Sequence, residues 1–539
     1  MLAKLKREDA PEVLLIKKSD LLEGEIAGIY SGCQAAVYPS RAEGFGFPVA
    51  EAMLLGLPVI TTGYSGQLDF CNPGNSLLLD YKMRDAIEAQ HPYPGAKWAE
   101  PDEGQLRQHM RYLYENAGSD RVKEMSANAM KAVKPITWES AAKSVLEFVK
   151  FAGKVNGLKQ KKLVVVSTLN TKCGIADYSC RLYPLVQNSF ADFKVLANKD
   201  AGDRISADGP EVVRTWEYGE EDFGQTLKQI DKIAPDIIHI QYNPPFYGLD
   251  SLTKLFAGLE SRGIKSYLTL HSVQVDYADF KRFLPGLAKA ERIFVHSHTD
   301  LEYLQQLGYK NAEYFEYPAT VFTDEDRFRL RERLNVAGSP VLATHGLIHN
   351  GKGILESIEA ANILKKDFPD LLLLCINAIN PNNSTSSATY QQMLNLVKKY
   401  NLQANVLFFT EFLELPVVSK LLHLADIVLL PYAELKESAS GAVRTSIAAR
   451  RPVVITESHI FEDMPVGSRI KNNDPGLVAG MVRKLLTDEK FYKQELIEIN
   501  KYLDENSLDK KSRGYLEILA ADLTRFNKLP SINKKLSTN

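Results

Sequence analysis

Residues Cys33–Phe70 read "CQAAVYPSRAEGFGFPVAEAMLLGLPVITTGYSGQLDF", and Ala425–Asp463 read "ADIVLLPYAELKESASGAVRTSIAARRPVVITESHIFED". Each is an apolar run ending in proline, a polar turn holding a glutamate, a glycine, a helical stretch, and then "PVITT" or "PVVIT". Aligned backwards from Pro58 and Pro452, Glu43 falls on Glu437 and Glu51 on Thr445, with two extra residues before the later glutamate. One element is therefore written twice, once intact and once altered, which makes the chain a repeated architecture.

Around these two copies, short apolar runs alternate with amphipathic stretches. "KLVVVST", "DIIHIQ", "SYLTLHS", "RIFVHS", "PVLATHG", "LLLLCIN", "NVLFFT", "DIVLLPY" and "PVVIT" each read as a buried parallel strand closed by polar residues. Helical patterns such as "SIEAANILKKDF" and "PVVSKLLHLA" separate them. This alternation predicts right-handed βαβ units and doubly wound α/β sheets, whose ligands sit at the carboxyl ends of the strands. The lysine-rich "KVNGLKQKK" reads as a linker before a new first strand, and "SINKKLSTN" as a polar tail.

Composition narrows the function classes. At 539 residues the chain exceeds one compact core. A formal net charge of −2 argues against nucleic acid held by bulk charge. Five cysteines without CxxC spacing read as reduced thiols, not as a disulfide framework or a zinc site. No apolar run is long enough to span a bilayer, and the opening residues lack the apolar core of a signal peptide. The expected compartment is the cytoplasm.

Glu43 and Glu51 stand eight positions apart, the first in a turn and the second on the following helix. Two such carboxylates, acceptor-only groups suited to polyol hydroxyls, face one ligand from two sides. The glycines between them admit close backbone approach, and the helix start offers N–H donors to phosphate. That set suits a nucleotide sugar. Taken alone, the spacing is also what a solvated helix start with acidic residues gives.

The complete string "PSRAEGFGFPVAEAMLLGLPVI" resembles the nucleotide-binding lobe of retaining glycosyltransferases of the two-lobed GT-B fold, specifically family 4. The resemblance implies two facing Rossmann-like parallel-sheet lobes, preceded by a partial donor lobe of an upstream module. It divides the chain into a partial donor lobe at 1–155, an acceptor lobe at 160–335, a nucleotide-sugar lobe at 336–515, and a terminal helix and tail at 516–539. By the same resemblance Glu43 would contact the donor sugar and Glu51 the nucleotide ribose. "WAEPD" and "ITWESAA" look like the family's closing helices. A family 4 enzyme carries an acceptor lobe and half a donor lobe before this motif, so the first unit is expected to be catalytically silent.

In the later copy, "STLNTKCGIADYSC" resembles the glycine loop opening the acceptor lobe. There Gly174 either allows backbone approach to substrate or serves a plain strand-to-helix turn. His271, ending "LTLH", matches the family's strand-end histidine close to the donor sugar, whereas His296 and His298 read as structural. "THGLIHNGKG" resembles the G-R-L-x-x-x-K-G segment, with Lys352 at the diphosphate-gripping lysine and Leu347 where the family has arginine. Glu437 is the expected sugar-contacting carboxylate, and Thr445 replaces the ribose glutamate. Ser440 and Gly441 offer backbone donors at a helix start. Arg444 either restores some positive charge or faces solvent.

The resemblance implies a hexosyltransferase with catalytic Glu437 and His271, using no cofactor and no metal, and no D-x-D stands at a suitable strand end. Its donor would be a nucleotide sugar, with mannose suggested by the "SASGAVR" loop. Its acceptor would be a carbohydrate or lipid-linked glycan in surface-polysaccharide synthesis such as O-antigen or capsule, and nucleic acid is no partner. Peripheral association with the inner face of the plasma membrane, or with an assembly complex, belongs to that picture. The alternative is a degenerate GT-B module with a scaffolding role, which Leu347 and Thr445 motivate. A GT-B phosphorylase would need a pyridoxal-phosphate lysine context that is not seen.

Overall fold

The structure is a computed structural model describing residues 13–16, 21–86, 96–199, 204–273, 285–319, 338–379, 384–435 and 440–526, with Arg327, Arg331, Leu334 and Val336. By its contacts the chain forms two compact units that divide between Val145 and Leu146, inside the helix Trp138–Val155.

The first unit holds a small parallel sheet in the order β1 (Ala36–Tyr38), β2 (Val59–Thr62), β3 (Leu77–Leu79). An antiparallel pair, β4 (Tyr81–Asp85) and β5 (Lys97–Pro101), follows. "WAEP" therefore lies in β5, not in a helix as the resemblance suggested. Asp102 accepts from the Gln105 amide and so caps the next helix, Glu103–Asn116. The turn between β1 and the helix Phe47–Leu54 ends on Gly46, whose φ of +90° is left-handed, and Pro48 follows in the first helical turn.

The second unit contains two larger sheets, both wholly parallel. One is ordered β12-β11-β10-β9-β6-β7-β8 and the other β15-β14-β13-β16-β17-β18. The strands of the first are β6 (Lys162–Ser167), β7 (Asp192–Asn198), β8 (Val212–Trp216), β9 (Ile237–Tyr242), β10 (Lys265–Leu270), β11 (Arg292–Val295) and β12 (Ala312–Tyr314). Those of the second are β13 (Val341–Leu347), β14 (Leu372–Ala378), β15 (Val406–Phe409), β16 (Ile427–Leu430), β17 (Val453–Thr456) and β18 (Ser468–Ile470). Counted within each sheet, both follow the order 3-2-1-4-5-6, with a seventh strand added to the first. In that topology the chain reverses direction at the first strand, leaving a crevice at its carboxyl end.

These strands are continuous apolar runs because helices cover both of their faces. Val164 and Val166 of β6 enter one core while Leu163 and Val165 enter another, as period-two alternation requires. Val341 and Ala343 of β13 likewise oppose Leu342. All nine strands read from the sequence form. β7, β8, β12 and β18 were not read as strands, being more polar or shorter than the others.

The last helix, Leu508–Phe526, runs through the expected boundary at residue 515 and packs on the β6–β12 sheet. Tyr515, Leu516 and Leu519 are buried there with Tyr183 and Phe193. The Tyr515 hydroxyl lies 2.8 Å from His239 Nδ1, and Arg292 donates to Asp522 at 2.7 and 2.8 Å. A helix that follows the second sheet in sequence thus completes the core of the first.

Candidate functional site

The two crevices of the second unit are lined by the residues that end β6, β9, β10 and β11 on one side and β13 and β16 on the other. On the first side His271 directly follows β10, its backbone amide donating to the Tyr242 carbonyl. His271 Nε2 is 2.7 Å from Gln241 Oε1, and Gln241 Nε2 donates to the Tyr183 hydroxyl at 2.6 Å. Since the amide nitrogen is turned to Tyr183, the oxygen faces the histidine. His271 then carries its proton on Nε2 and keeps Nδ1 as an acceptor, an assignment made from the network.

Burial holds His271 well below the usual histidine range, reinforced by His296 and His239 nearby. Burial likewise pushes His239 down to about 3 and His296 to about 4. The His296 ring is 5.0 Å from that of His271, and its Nδ1 is 2.7 Å from the Phe315 carbonyl. Tyr178 touches both rings, at 5.1 Å and 5.6 Å between centroids. These imidazoles are neutral across the ordinary pH range, so this wall offers hydrogen-bond acceptors and aromatic surface. His298 instead starts a helix and stacks on Tyr314.

Gly174 opens the helix Gly174–Val186, and a Cβ built on it meets open space. Sterics therefore leave the plain-turn reading and the close-approach reading of Gly174 both standing. One turn on, Asp177 pairs with Arg181 at 2.5 Å, and burial raises the Asp177 carboxyl against the pull of that arginine.

On the other side, the turn after β13 is built from glycines. Gly346, Gly351 and Gly353 have φ of +133°, +88° and +71°. A Cβ on Gly353 would stand 2.1 Å from the Pro431 carbonyl oxygen, so this loop closes against the end of β16 only without a side chain. Lys352 sits between two of these glycines with Nζ 4.5 Å from the centre of the Tyr432 ring. Leu347 ends β13 half-exposed to solvent, with no charge at the position. His345, one residue before Gly346, is pushed down to about 4 by burial, with Arg181 from the other sheet's helix adding to the effect.

Glu437 lies outside the described residues. Ser440 caps the helix Gly441–Ala448, its Oγ accepting from the Val443 amide at 3.3 Å. The Cβ that Gly441 lacks would sit 3.6 Å from the Tyr317 hydroxyl. Arg444 is not solvent-facing. It is 2% exposed, donates from Nε to the Tyr317 carbonyl at 3.3 Å and from Nη1 to the Ser440 carbonyl at 3.2 Å, and lies over the Tyr317 ring. Thr445 is buried too, and its hydroxyl donates back to the Gly441 carbonyl at 3.1 Å, leaving that proton committed within the helix.

Tyr317 is the hub that the sequence reading missed. Its ring contacts Tyr178 at 5.1 Å and His296 at 5.3 Å on one side and Arg444 on the other. Gln241 was likewise quoted within "HIQYNPP" but not singled out. Its signal was a polar residue inside an otherwise apolar strand. In the first unit Glu43 is half-buried, its carbonyl held by the Ser65 hydroxyl at 2.7 Å, while Glu51 is exposed on its helix.

Among the described residues no group of three or more His, Cys, Asp or Glu side chains is placed to hold a metal ion. No helix among them is long and apolar enough to cross a membrane.

Comparison with known proteins adds two findings. Residues 5–90 and 326–502 match the family described as "Glycosyl transferases group 1". Among solved structures, the chain is similar to a glycosyltransferase from Rickettsia africae ESF-5, at 15% identity and a TM-score of 0.55, over 68% of this chain and 99% of that one. It is also similar to Anabaena Alr3699/HepE in complex with UDP and glucose, at 13% identity and a TM-score of 0.52, over 67% and 100%. An α,α-trehalose-phosphate synthase (UDP-forming) from Burkholderia xenovorans, in complex with glucose-6-phosphate, aligns at 10% identity and a TM-score of 0.52, over 67% and 100%. No curated protein sequence matches the chain. The fold is thus the two-lobed GT-B arrangement of parallel α/β sheets.

Proposed function

From the match of residues 5–90 and 326–502 to the family described as "Glycosyl transferases group 1", we propose that the second unit transfers a hexose from a nucleotide sugar to a carbohydrate acceptor. One observation carries this reading. The glycine-built turn holding Lys352 and the start of the helix Gly441–Ala448 meet at the carboxyl ends of β13 and β16, where doubly wound sheets take their ligands.

In this reading the donor diphosphate lies against Lys352 and the first-turn amides of that helix, which stabilise the charge developing on the leaving group. Neutral His271 presents Nδ1 to a hydroxyl of the transferred sugar, and Gln241 fixes its tautomer. Glu437 supplies the carboxylate on the donor side. Catalysis then rests on positioning and electrostatics, without a metal and with retention of anomeric configuration. Family 4, a mannosyl donor and a lipid-linked glycan acceptor in surface-polysaccharide synthesis complete the proposal. The place of action is the cytoplasm or the inner membrane face.

A second reading is a non-catalytic binding module. It is favoured by Leu347, by the Thr445 hydroxyl turned back into its helix, and by the engagement of Arg444 with Tyr317. A panel of nucleotide sugars screened by thermal shift, followed by donor hydrolysis and transfer assays, separates the two. A ligand at 100 times its dissociation constant adds about 2.7 kcal/mol of stability. Turnover of a bound donor supports the enzyme, and binding without turnover the module.

A further inference from the structure

Behind His271 a chain of polar side chains runs through the core of the β6–β12 sheet. Tyr183, His239, Gln241, Thr269 and Tyr515 are each at most 2% exposed, and all belong to the second unit. His239 and Gln241 stand two apart on β9, so their side chains leave the same face of the sheet. Thr269 pairs in register with Gln241 on the neighbouring β10. Tyr183 comes from the helix Gly174–Val186 and Tyr515 from Leu508–Phe526. Polar groups buried this deeply are costly unless every proton meets an acceptor.

Their proton positions follow one from another. Gln241 Nε2 carries two protons; one goes to the Tyr183 hydroxyl at 2.6 Å, and the same nitrogen lies 3.3 Å from His239 Nε2. His239 is kept neutral by burial, so its Nε2 is then the acceptor, to which the Thr269 hydroxyl donates at 2.8 Å. The one proton of His239 is left on Nδ1, with the Tyr515 hydroxyl at 2.8 Å and the Tyr183 hydroxyl at 3.3 Å.

Turning the Gln241 amide over reverses the whole set. Its oxygen would then accept from Tyr183 and from a proton on His239 Nε2, and its nitrogen would donate to His271, moving that ring's proton to Nδ1. The two imidazoles therefore change tautomer together.

We propose that Tyr515 is a positioning residue for His271. Its hydroxyl fixes the tautomer of His239 and, through the Gln241 amide, the nitrogen on which His271 keeps its proton. Without that hydroxyl the Nδ1 proton of His239 is left with the longer contact to Tyr183, which already accepts from Gln241. A proton on Nε2 instead meets Thr269 at 2.8 Å, so the turned arrangement becomes the favoured one. A residue 276 positions beyond His239 thereby sets the chemistry of the crevice wall. The step from tautomer to sugar transfer rests on the role proposed for His271 above; the tautomer itself does not.

The test labels the full chain with isotopic nitrogen in histidine alone and reads each ring's tautomer from two-bond proton–nitrogen correlations. His271→Gln identifies the His271 signals. Tyr515→Phe is expected to move the His271 proton from Nε2 to Nδ1 and the His239 proton from Nδ1 to Nε2. Where the wild type transfers sugar, the same variant should lower kcat about tenfold, with the donor KM changed less than about twofold. Tyr267→Phe is the control, because the Tyr267 hydroxyl ties the same helix to the sheet through Asp522 at 3.2 Å. It should leave both tautomers and kcat as in the wild type. A His271 proton that stays on Nε2 in Tyr515→Phe, or an equal shift in Tyr267→Phe, overturns the proposal. A wild-type chain that transfers no sugar defeats the proposed function instead, and the tautomers still decide whether Tyr515 sets His271.

Discussion

Replacing Arg444 by methionine separates two roles that sequence alone left open. In the structure the guanidinium makes hydrogen bonds to the Tyr317 and Ser440 carbonyls at 3.3 and 3.2 Å and lies over the Tyr317 ring. Bonds from a charged donor contribute about 1.5–3 kcal/mol each, and these two, being long, count near the lower value. The ring contact adds about 1–2 kcal/mol where desolvated. Removing the charge also relieves part of its burial cost, so the net loss is about 2–4 kcal/mol. For a unit of this size a melting temperature lower by roughly 2–5 °C follows. Arg444→Lys, which keeps the charge but not the planar fork, should recover only part of this. The assay pairs melts with the dissociation constant of a nucleoside diphosphate that binds the wild type. The structure predicts a large stability loss with affinity changed less than about threefold. Unchanged melting with affinity weakened tenfold or more would refute the reasoning and make Arg444 a phosphate ligand.

Three further outcomes are expected. His239, His271 and His296 are held neutral by burial, with folded pKa values below the ordinary 6.5, so they contribute full stability above that value. As pH falls below it, the unfolded chain takes protons that the folded chain refuses, at up to about 1.4 kcal/mol per pH unit for each histidine. Melting temperatures should be flat from pH 8 to 7 and fall between 6.5 and 5, and equal values at pH 7 and 5 would contradict this. Gly353→Ala puts a Cβ 2.1 Å from the Pro431 oxygen at φ +71°, and chemical denaturation should register a loss of at least about 2 kcal/mol. The pair Glu43→Ala and Glu51→Ala should leave any transfer activity within about tenfold of wild type, or about 1.4 kcal/mol. A larger drop in an intact fold means that the first unit takes part in catalysis.

The sheets were legible because parallel strands covered on both faces must be continuous apolar runs, and β6, β9, β10, β13 and β16 are. The positions of His271 and Lys352 at the ends of β10 and β13 could be read for a related reason, since each stands directly after or soon after such a run. The contact of Arg444 with Tyr317 was not, because it joins residues 127 positions apart, and nothing local to either announces the other. "GAVRTSIA" reads as a surface helix by composition, yet its arginine and threonine are buried against elements that periodicity does not reveal. The return of Leu508–Phe526 to the earlier sheet was hidden in the same way, since an amphipathic pattern gives a helix its buried face but not its partner. "WAEPD" shows another error, in which likeness to a family's helices was followed where "KWAEP" is made a strand by its antiparallel pairing with Tyr81–Asp85, which its own residues do not announce.

The measurement closest to the central claim is calorimetric titration of the full chain with a panel of nucleoside diphosphates, repeated on Lys352→Ala. Lys352 lies over the Tyr432 ring face with Nζ 4.5 Å from its centre, so melts of both proteins accompany the titration to separate lost binding from lost stability. The account predicts that at least one nucleoside diphosphate binds the wild type, and that Lys352→Ala weakens it about tenfold or more through loss of a phosphate contact. Binding of no member of the panel, or equal binding by both proteins, would contradict it.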